Sequence, residues 1–335
     1  MTNAMKDVTV MKDVMMGTMR EATRDDPIRD KRRVVTRRGV FGVIGITGGV
    51  IVGFITGLIG APMGPIPAFA AEAPRRVVSL IPAVTEMLFA IGEGSRLVGV
   101  GNYDRFPPEV EKIPRVGGLL DPSVERILSL RPDLVIVYNT QQELKQRLDR
   151  ASVPYYSYEH RGLPDIMETI RAIGARIGSG DRANALASQM EADLSAIRRS
   201  VAGLRRPKTL LVFGRDPRSL RNIDAGGGYG FLHDMLDVAG GDNIFSDINR
   251  QSVQATTEMI LARRPEVIIE FRYGGSLRAV DIPAEVHAWD VLASLPAVRD
   301  RRVYEMSGDE FVVPGPRVVA ATRRLSEALH PGVNR

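Results

Sequence analysis

Sixteen consecutive residues recur without a gap 133 positions further along the chain. Residues 123–138 read SVERILSLRPDLVIVY and residues 256–271 read TTEMILARRPEVIIEF. Each segment opens on a hydroxyl residue, Ser123 or Thr256, suited to cap a helix N-terminus. A short helical stretch follows, then an Arg-Pro-acid stop. Each segment closes on an apolar run that reads as a buried strand of a parallel sheet. A second echo lies upstream, where Thr85–Gly92 resembles His233–Gly240. Each member of that pair follows an apolar strand, Val77–Ile81 or Thr209–Phe213. The order strand, helix, strand, helix, strand therefore occurs twice. Alternation of this kind predicts an α/β fold of two similar lobes with mainly parallel sheets.

Between the copies, Asp181 to Gly203 contains neither proline nor internal glycine. Leu186, Met190, Leu194 and Ile197 recur there at helical spacing. The pattern predicts one helix of about 23 residues, roughly 34 Å long, ended by Gly203 and Pro207. The alternative is an ordinary packing helix inside one lobe, but the repeat boundary falls on this segment and favours a rigid connector. The expected organisation is then a lobe over 75–180, the connector over 181–203 and a second lobe over 208–331, with a ligand cleft between the lobes.

The 335 residues include no cysteine, which excludes disulfides, thiolate metal sites, a cysteine nucleophile and a lipidated cysteine. Four scattered histidines, His160, His233, His287 and His330, argue against a histidine metal cluster. No HExxH or GxSxG pattern supports a metalloenzyme or serine hydrolase. The net charge of +5 is concentrated at the front: residues 1–70 carry ten Lys/Arg and six Asp/Glu, leaving +1 for the rest. The body thus lacks the basic footprint of a nucleic-acid binder. Gly226-Gly227-Gly228 is followed by Tyr229 and Gly230, and it fails the dinucleotide-loop spacing and stands well beyond its strand. A flexible wall of the cleft is the expected use.

The front end reads as an export signal. Arg37-Arg38 precedes an uncharged stretch from Gly39 to Ala71 whose apolar core is Val40–Ile59, and Ala68-Phe69-Ala70 supplies a small-x-small cleavage pattern. The arginine pair resembles a twin-arginine signal. The apolar run is long enough to span a bilayer if uncleaved, so the body is expected outside the cytoplasm, free or membrane-anchored. Residues 1–35 read as an extension, or as the product of a misplaced start codon.

A family resemblance enters with Arg76-Val77-Val78-Ser79-Leu80-Ile81-Pro82-Ala83-Val84-Thr85-Glu86. This run resembles the opening strand and cleft loop of helical-backbone solute-binding proteins, which serve ABC importers of cobalamin, ferric siderophores and haem. Leu97-Val98-Gly99-Val100, Tyr103, Pro107-Pro108 and Pro114-Arg115-Val116-Gly117-Gly118 continue the pattern. So do Ala239–Phe245 and Pro314-Gly315-Pro316-Arg317, and the cobalamin-binding branch is the nearest in look. The resemblance covers about residues 75–331 and implies binding without catalysis. No intrinsic cofactor is expected, and the cargo would be a cobalt corrinoid or ferric chelate. The implied partners are a membrane permease and, through it, an ATPase, with the chain itself a monomer.

Strand carboxyl ends host ligands in open α/β sheets, and here they fall at Pro82-Ala83, Tyr138-Asn139, Gly214-Arg215 and Arg272-Tyr273. The resemblance implies ligand contacts at Tyr103 and Asp309, with Arg317 a further candidate. Arg215 and Arg272 are expected to face the cleft, where a guanidinium suits an anionic ligand group. Leu119 and Ser252 stand where the cobalamin binders carry ring-stacking tryptophans, and the only tryptophan is Trp289. That departure leaves a siderophore, another corrinoid or haem as alternatives to cobalamin. Glu125 and Glu258 occupy the same place in both copies, two residues after the caps. Either could stabilise a helix dipole, and the resemblance implies that the pair meets arginines on the permease.

Overall fold

Strands buried on both faces and helical crossovers produce two separate sheets in the computed structural model, which describes residues 72–273 and 282–333. The first sheet has strands β1 (Val77–Ser79), β2 (Leu97–Val100), β3 (Leu134–Tyr138) and β4 (Tyr155–Tyr158) in the order β2-β1-β3-β4. Every pairing in it is parallel. Its crossovers include helices α1 (Pro82–Ala90), α2 (Val124–Ser129) and α3 (Gln142–Arg150). The second sheet contains β5 (Lys208–Gly214), β6 (Ile223–Gly226), β7 (Asp242–Asn243), β8 (Ser252–Ala255), β9 (Val267–Arg272) and β10 (Val303–Ser307). Its order is β10-β9-β5-β6-β8, with β7 also on β5. Here β9 and β10 run parallel to β5, but β6 pairs antiparallel with both β5 and β8. The expected plan omitted β6 and β8, whose residues IDAG and SVQA carry no continuous apolar run.

The duplication holds down to backbone angles. Ser123 and Thr256 accept the backbone N–H of Arg126 and Met259, at 3.4 and 3.3 Å, and so cap α2 and its counterpart α6 (Thr257–Arg263). Arg131 and Arg264, 133 positions apart, both adopt left-handed φ, 46° and 50°. This conformation stops each helix just before its proline and is uncommon for a residue bearing a Cβ. The strands that follow, β3 and β9, are central in their sheets and pair with β1 and β5. The upstream echo falls on α1 and on α7 (Phe231–Val238), and each ends near a positive-φ glycine, Gly92 or Gly240.

The expected connector is a helix of 21 residues, α5 (Gly180–Ser200), ending three residues before Gly203. It packs along α4 (Leu163–Arg176), and Gly174 allows their close approach: a Cβ there would lie 2.1 Å from the Ala183 Cβ. The same helix also meets α7 and the last helix, α8 (Val318–Leu329). It is therefore connector and packing helix at once. One core runs from Val77 and Ile136 through Ile170, Ala187 and Leu194 to Leu236, Ile269 and Leu325. The opposite faces of the two sheets bury separate clusters, around Val135 and Leu148 in the first and around Val212, Ile268 and Trp289 in the second. The leader features, Arg37-Arg38, Val40–Ile59 and Ala68–Ala70, lie outside the described residues.

The glycine run is not a flexible wall. Gly226 ends β6, and the N–H groups of Gly227 and Gly228 donate to the carbonyls of Gln251 and Ile248, at 3.1 and 2.8 Å. A Cβ on Gly227 would lie 2.1 Å from the Arg250 carbonyl oxygen, and one on Gly228 2.2 Å from that of Ser246. Close backbone packing is what requires glycine at these two positions.

Candidate functional site

The loops at the carboxyl ends of β1, β2 and β3 carry the candidates of the first lobe. After β1, Pro82 opens α1 at its first turn, where a missing N–H costs nothing. Ala83 is buried beside it. After β2 the chain turns through Tyr103 and returns at Gly117, whose carbonyl accepts the Asn102 N–H at 2.9 Å. Arg115 fixes this loop by donating Nη1 to the carbonyls of Gly101 and Asp104, both at 2.7 Å. Asp104 is buried, and burial pushes its carboxyl up to about 7. Tyr103 is half-buried, with its ring against Gly118.

Beyond Gly118 the tip presents Leu119 and an exposed Leu120. The Leu119 carbonyl accepts from Gln141 Nε2 at 2.6 Å. Leu119, Leu120, Asp121, Thr140, Gln141 and Arg147 help to line a cavity of about 290 Å³. That is just under the usual range for small-molecule pockets, which starts at about 300 Å³. At the end of β4, His160 Nδ1 meets the Tyr138 hydroxyl at 3.0 Å. His160 also stacks on Tyr158 and stands edge-on to Phe231 of the second lobe. Burial drives its pKa down to about 4.

The second lobe puts charges at the same edge. Arg215, just beyond β5, was expected to present a donor to ligand, and in the structure its guanidinium meets protein groups. Its Nε and Nη2 hold Glu270, Nη2 also reaches the Glu285 carbonyl at 2.8 Å, and Nη1 reaches the carbonyls of Asp216 and Ser219. All five guanidinium N–H groups are engaged, and the side chain is 5% exposed. Arg272 is likewise held, by Glu285 at 3.4 Å and Glu305 at 3.2 Å. Trp289 Nε1 donates to Glu270 at 3.1 Å from full burial. Ser252 lies in β8, paired with Gly226.

Pro82, Ala83, Asp309 and Arg317 are drawn together across the lobes. Arg317, immediately before α8, donates Nε and Nη2 to the two oxygens of Glu86 in α1, at 2.9 and 2.6 Å. Its Nη1 reaches Glu310 at 3.1 Å, and its guanidinium lies 4.3 Å from the Phe106 ring centroid. Burial raises the Glu86 carboxyl above its ordinary range, Arg317 opposes that shift, and Asp309 is close enough to add to it. Sequence reasoning missed Glu86, Glu270, Glu285, Glu305 and Glu310. Glu86 and Glu270 did carry a signal, each being a lone carboxylate within an otherwise apolar run.

Glu125 and Glu258 are exposed in the first turns of α2 and α6. A hydrogen bond with Thr256 holds the Glu258 carboxyl below its usual range.

A family model described as periplasmic binding protein matches residues 77–310. The chain belongs to the periplasmic binding protein family. This periplasmic binding protein is 28% identical over 267 residues to the vitamin B12-binding protein of Salmonella typhimurium, covering 79% of this chain and 93% of that one. It is 29% identical over 268 residues to an uncharacterised ABC transporter substrate-binding lipoprotein of Bacillus subtilis, covering 78% and 81%. Among solved structures, it resembles the periplasmic haem-binding protein RhuT of Roseiflexus at 28% identity and TM-score 0.66, covering 77% and 99%. It shares the fold of the vitamin B12-binding protein BtuF of Vibrio cholerae at 24% identity and TM-score 0.66, covering 77% and 97%. The periplasmic binding protein is thus of the ABC-importer type, with solute binders and not enzymes among these relatives. No helix among the described residues is long and apolar enough to cross a membrane.

Proposed function

We propose that this protein captures a corrinoid, cobalamin first, outside the cytoplasm and delivers it to a membrane permease coupled to an ATPase. The observation that carries the reading is the match to a vitamin B12-binding protein along 93% of that protein's length. The ligand edge consists of Pro82, Ala83, Tyr103, Leu119 and Asp309. Tyr103 supplies a ring face, and the Leu119–Leu120 tip supplies apolar area where stacking tryptophans are lacking. Arg215 and Arg272 shape this edge through their carboxylate partners. Glu125 and Glu258 dock on the permease, one from each lobe, through charge pairing that fixes orientation. Arg37-Arg38 and the apolar run behind it direct export.

A haem cargo is the second reading, favoured by the 28% identity to a haem-binding structure. Calorimetric titration of the purified body with cyanocobalamin, haemin and a ferric trihydroxamate decides among them. Saturable heat with cyanocobalamin alone is the expected outcome. Saturable binding of haemin without any response to cyanocobalamin overturns the corrinoid reading. Glu125→Ala combined with Glu258→Ala should abolish uptake in cells while leaving ligand affinity intact.

A further inference from the structure

We infer that Glu86 and Arg317 form a strut between the two lobes, a pair that positions the cleft walls instead of touching the cargo. The two residues are 231 positions apart, and each is set on a rigid mount. Glu86 sits inside α1, which a proline starts and β1 feeds directly. Arg317 follows Pro314-Gly315-Pro316 and stands at the amino end of α8. The contact is a fork-to-carboxylate pair with both oxygens engaged, which fixes direction as well as distance.

The surroundings hold the strut in place. The third bond of Arg317 goes to Glu310, whose other oxygen is held by Arg324 Nη1 at 2.6 Å. Phe106, on the first lobe, covers the guanidinium face. The Glu86 side chain is 4% exposed and that of Arg317 23%, so water competes little for the pair. Gly315 provides the clearance: a Cβ there would stand 3.2 Å from Glu86 Oε2 and 3.6 Å from the Ala83 carbonyl oxygen. Two lobes joined along one helix can hinge about it. A directed bond at a second point removes that freedom. Separating the lobes here would strip a nearly buried carboxylate of its partner, a costly step. The inference concerns lobe geometry and stands whichever chelate is carried.

The chain has no cysteine, so two labels can be placed cleanly. Glu111→Cys and Glu327→Cys, at exposed positions on the two lobes, carry spin labels for pulsed dipolar distance measurement without ligand. The parent should give one narrow distance distribution. Arg317→Met and Glu86→Gln should each shift the balance toward open forms by ~10-fold or more and widen the distribution. Combining them should add nothing further, since either change removes the same bond. Gly315→Val keeps every charge and wedges the seam, and it should also shift the distribution. An unchanged distribution in a folded Arg317→Met protein overturns the strut. If that variant does not fold, an unchanged distribution in Gly315→Val overturns it. Loss of cyanocobalamin binding with unchanged distances would mark Arg317 as a ligand contact and also overturn it.

Discussion

At the position where β3 of the first lobe buries Val137, the matching strand β9 of the second buries Glu270. The backbone plan is shared, yet the lobes hide their titratable groups in different ways. The first lobe keeps two such groups neutral, since Asp104 holds its proton up to about 7 and His160 stays uncharged down to about 4, both because of burial, while its buried Glu93 is held by Arg96 and Arg182. The second pairs them in one cluster, joining Arg215, Arg272, Glu270, Glu285 and Glu305 near the carboxyl ends of β5, β9 and β10. Neutralising and pairing are the two available routes, because an isolated buried charge is too costly to keep. The pairing route has a geometric by-product. It ties three strand ends and a helix together at the edge where ligands bind in such sheets, whereas the first lobe shapes that edge by packing and loop hydrogen bonds.

The comparison breaks most visibly if Glu270 is removed. Glu270→Ala leaves the Arg215 guanidinium, 5% exposed, without its main carboxylate. Such a loss costs about 3–5 kcal/mol. Val137→Ala at the matching site loses only apolar area and should cost roughly 2 kcal/mol. Urea denaturation of both variants measures the gap. Equal costs would mean that the charge cluster does not anchor the second lobe.

Asp104 and His160 should give the pH dependence of stability two opposed slopes. Asp104, with its pKa raised from 3.8 to about 7, binds a proton in the folded state that the unfolded state has released. Its contribution therefore declines as pH rises from about 4 to 7, by up to about 4 kcal/mol. His160, lowered from 6.5 to about 4, does the reverse. The unfolded state binds the extra proton there, so stability grows by up to about 3 kcal/mol as pH rises from 4 to 6.5. Between pH 4 and 6.5 the two nearly cancel. Asp104→Asn should expose the rising slope, and His160→Gln the falling one, in thermal melts across that range. Two variants that both remain flat would show that neither group carries the linkage.

The division between the lobes also explains what could be read from sequence. Strands β1, β3, β5 and β9, the caps Ser123 and Thr256 and the long helix were legible because local pattern and tertiary burial agree there. Strands β6 and β8 were not, since Ile223–Gly226 and Ser252–Ala255 gain their pairing only from each other and from β5. Arg215 and Arg272 were read as facing a ligand, and their carboxylate partners in the fold were not read. A guanidinium after a buried strand looks the same whether a ligand or Glu285, some 70 and 13 positions away, will meet it. Glu86 and Arg317 show the same limit, being 231 positions apart.

The smallest effect tests the part of the plan that is common to both lobes. Ser123 and Thr256 make the same bond at the same helix position, and both are long, at 3.4 and 3.3 Å. Replacing either by alanine removes one acceptor from an orphan N–H and should cost about 0.5–1 kcal/mol, at the low end for caps. The two costs should agree, because each helix continues into the same left-handed stop, at Arg131 or Arg264. Thr256 also meets the Glu258 carboxyl, so the two caps are compared in a background carrying Glu125→Ala and Glu258→Ala. A clearly larger loss for Thr256→Ala, in melts at one fixed pH, would show that the charged cluster beyond β9 is coupled to the helix preceding that strand. The repeat would then be a likeness of backbone alone, with each lobe distributing strain through its own core.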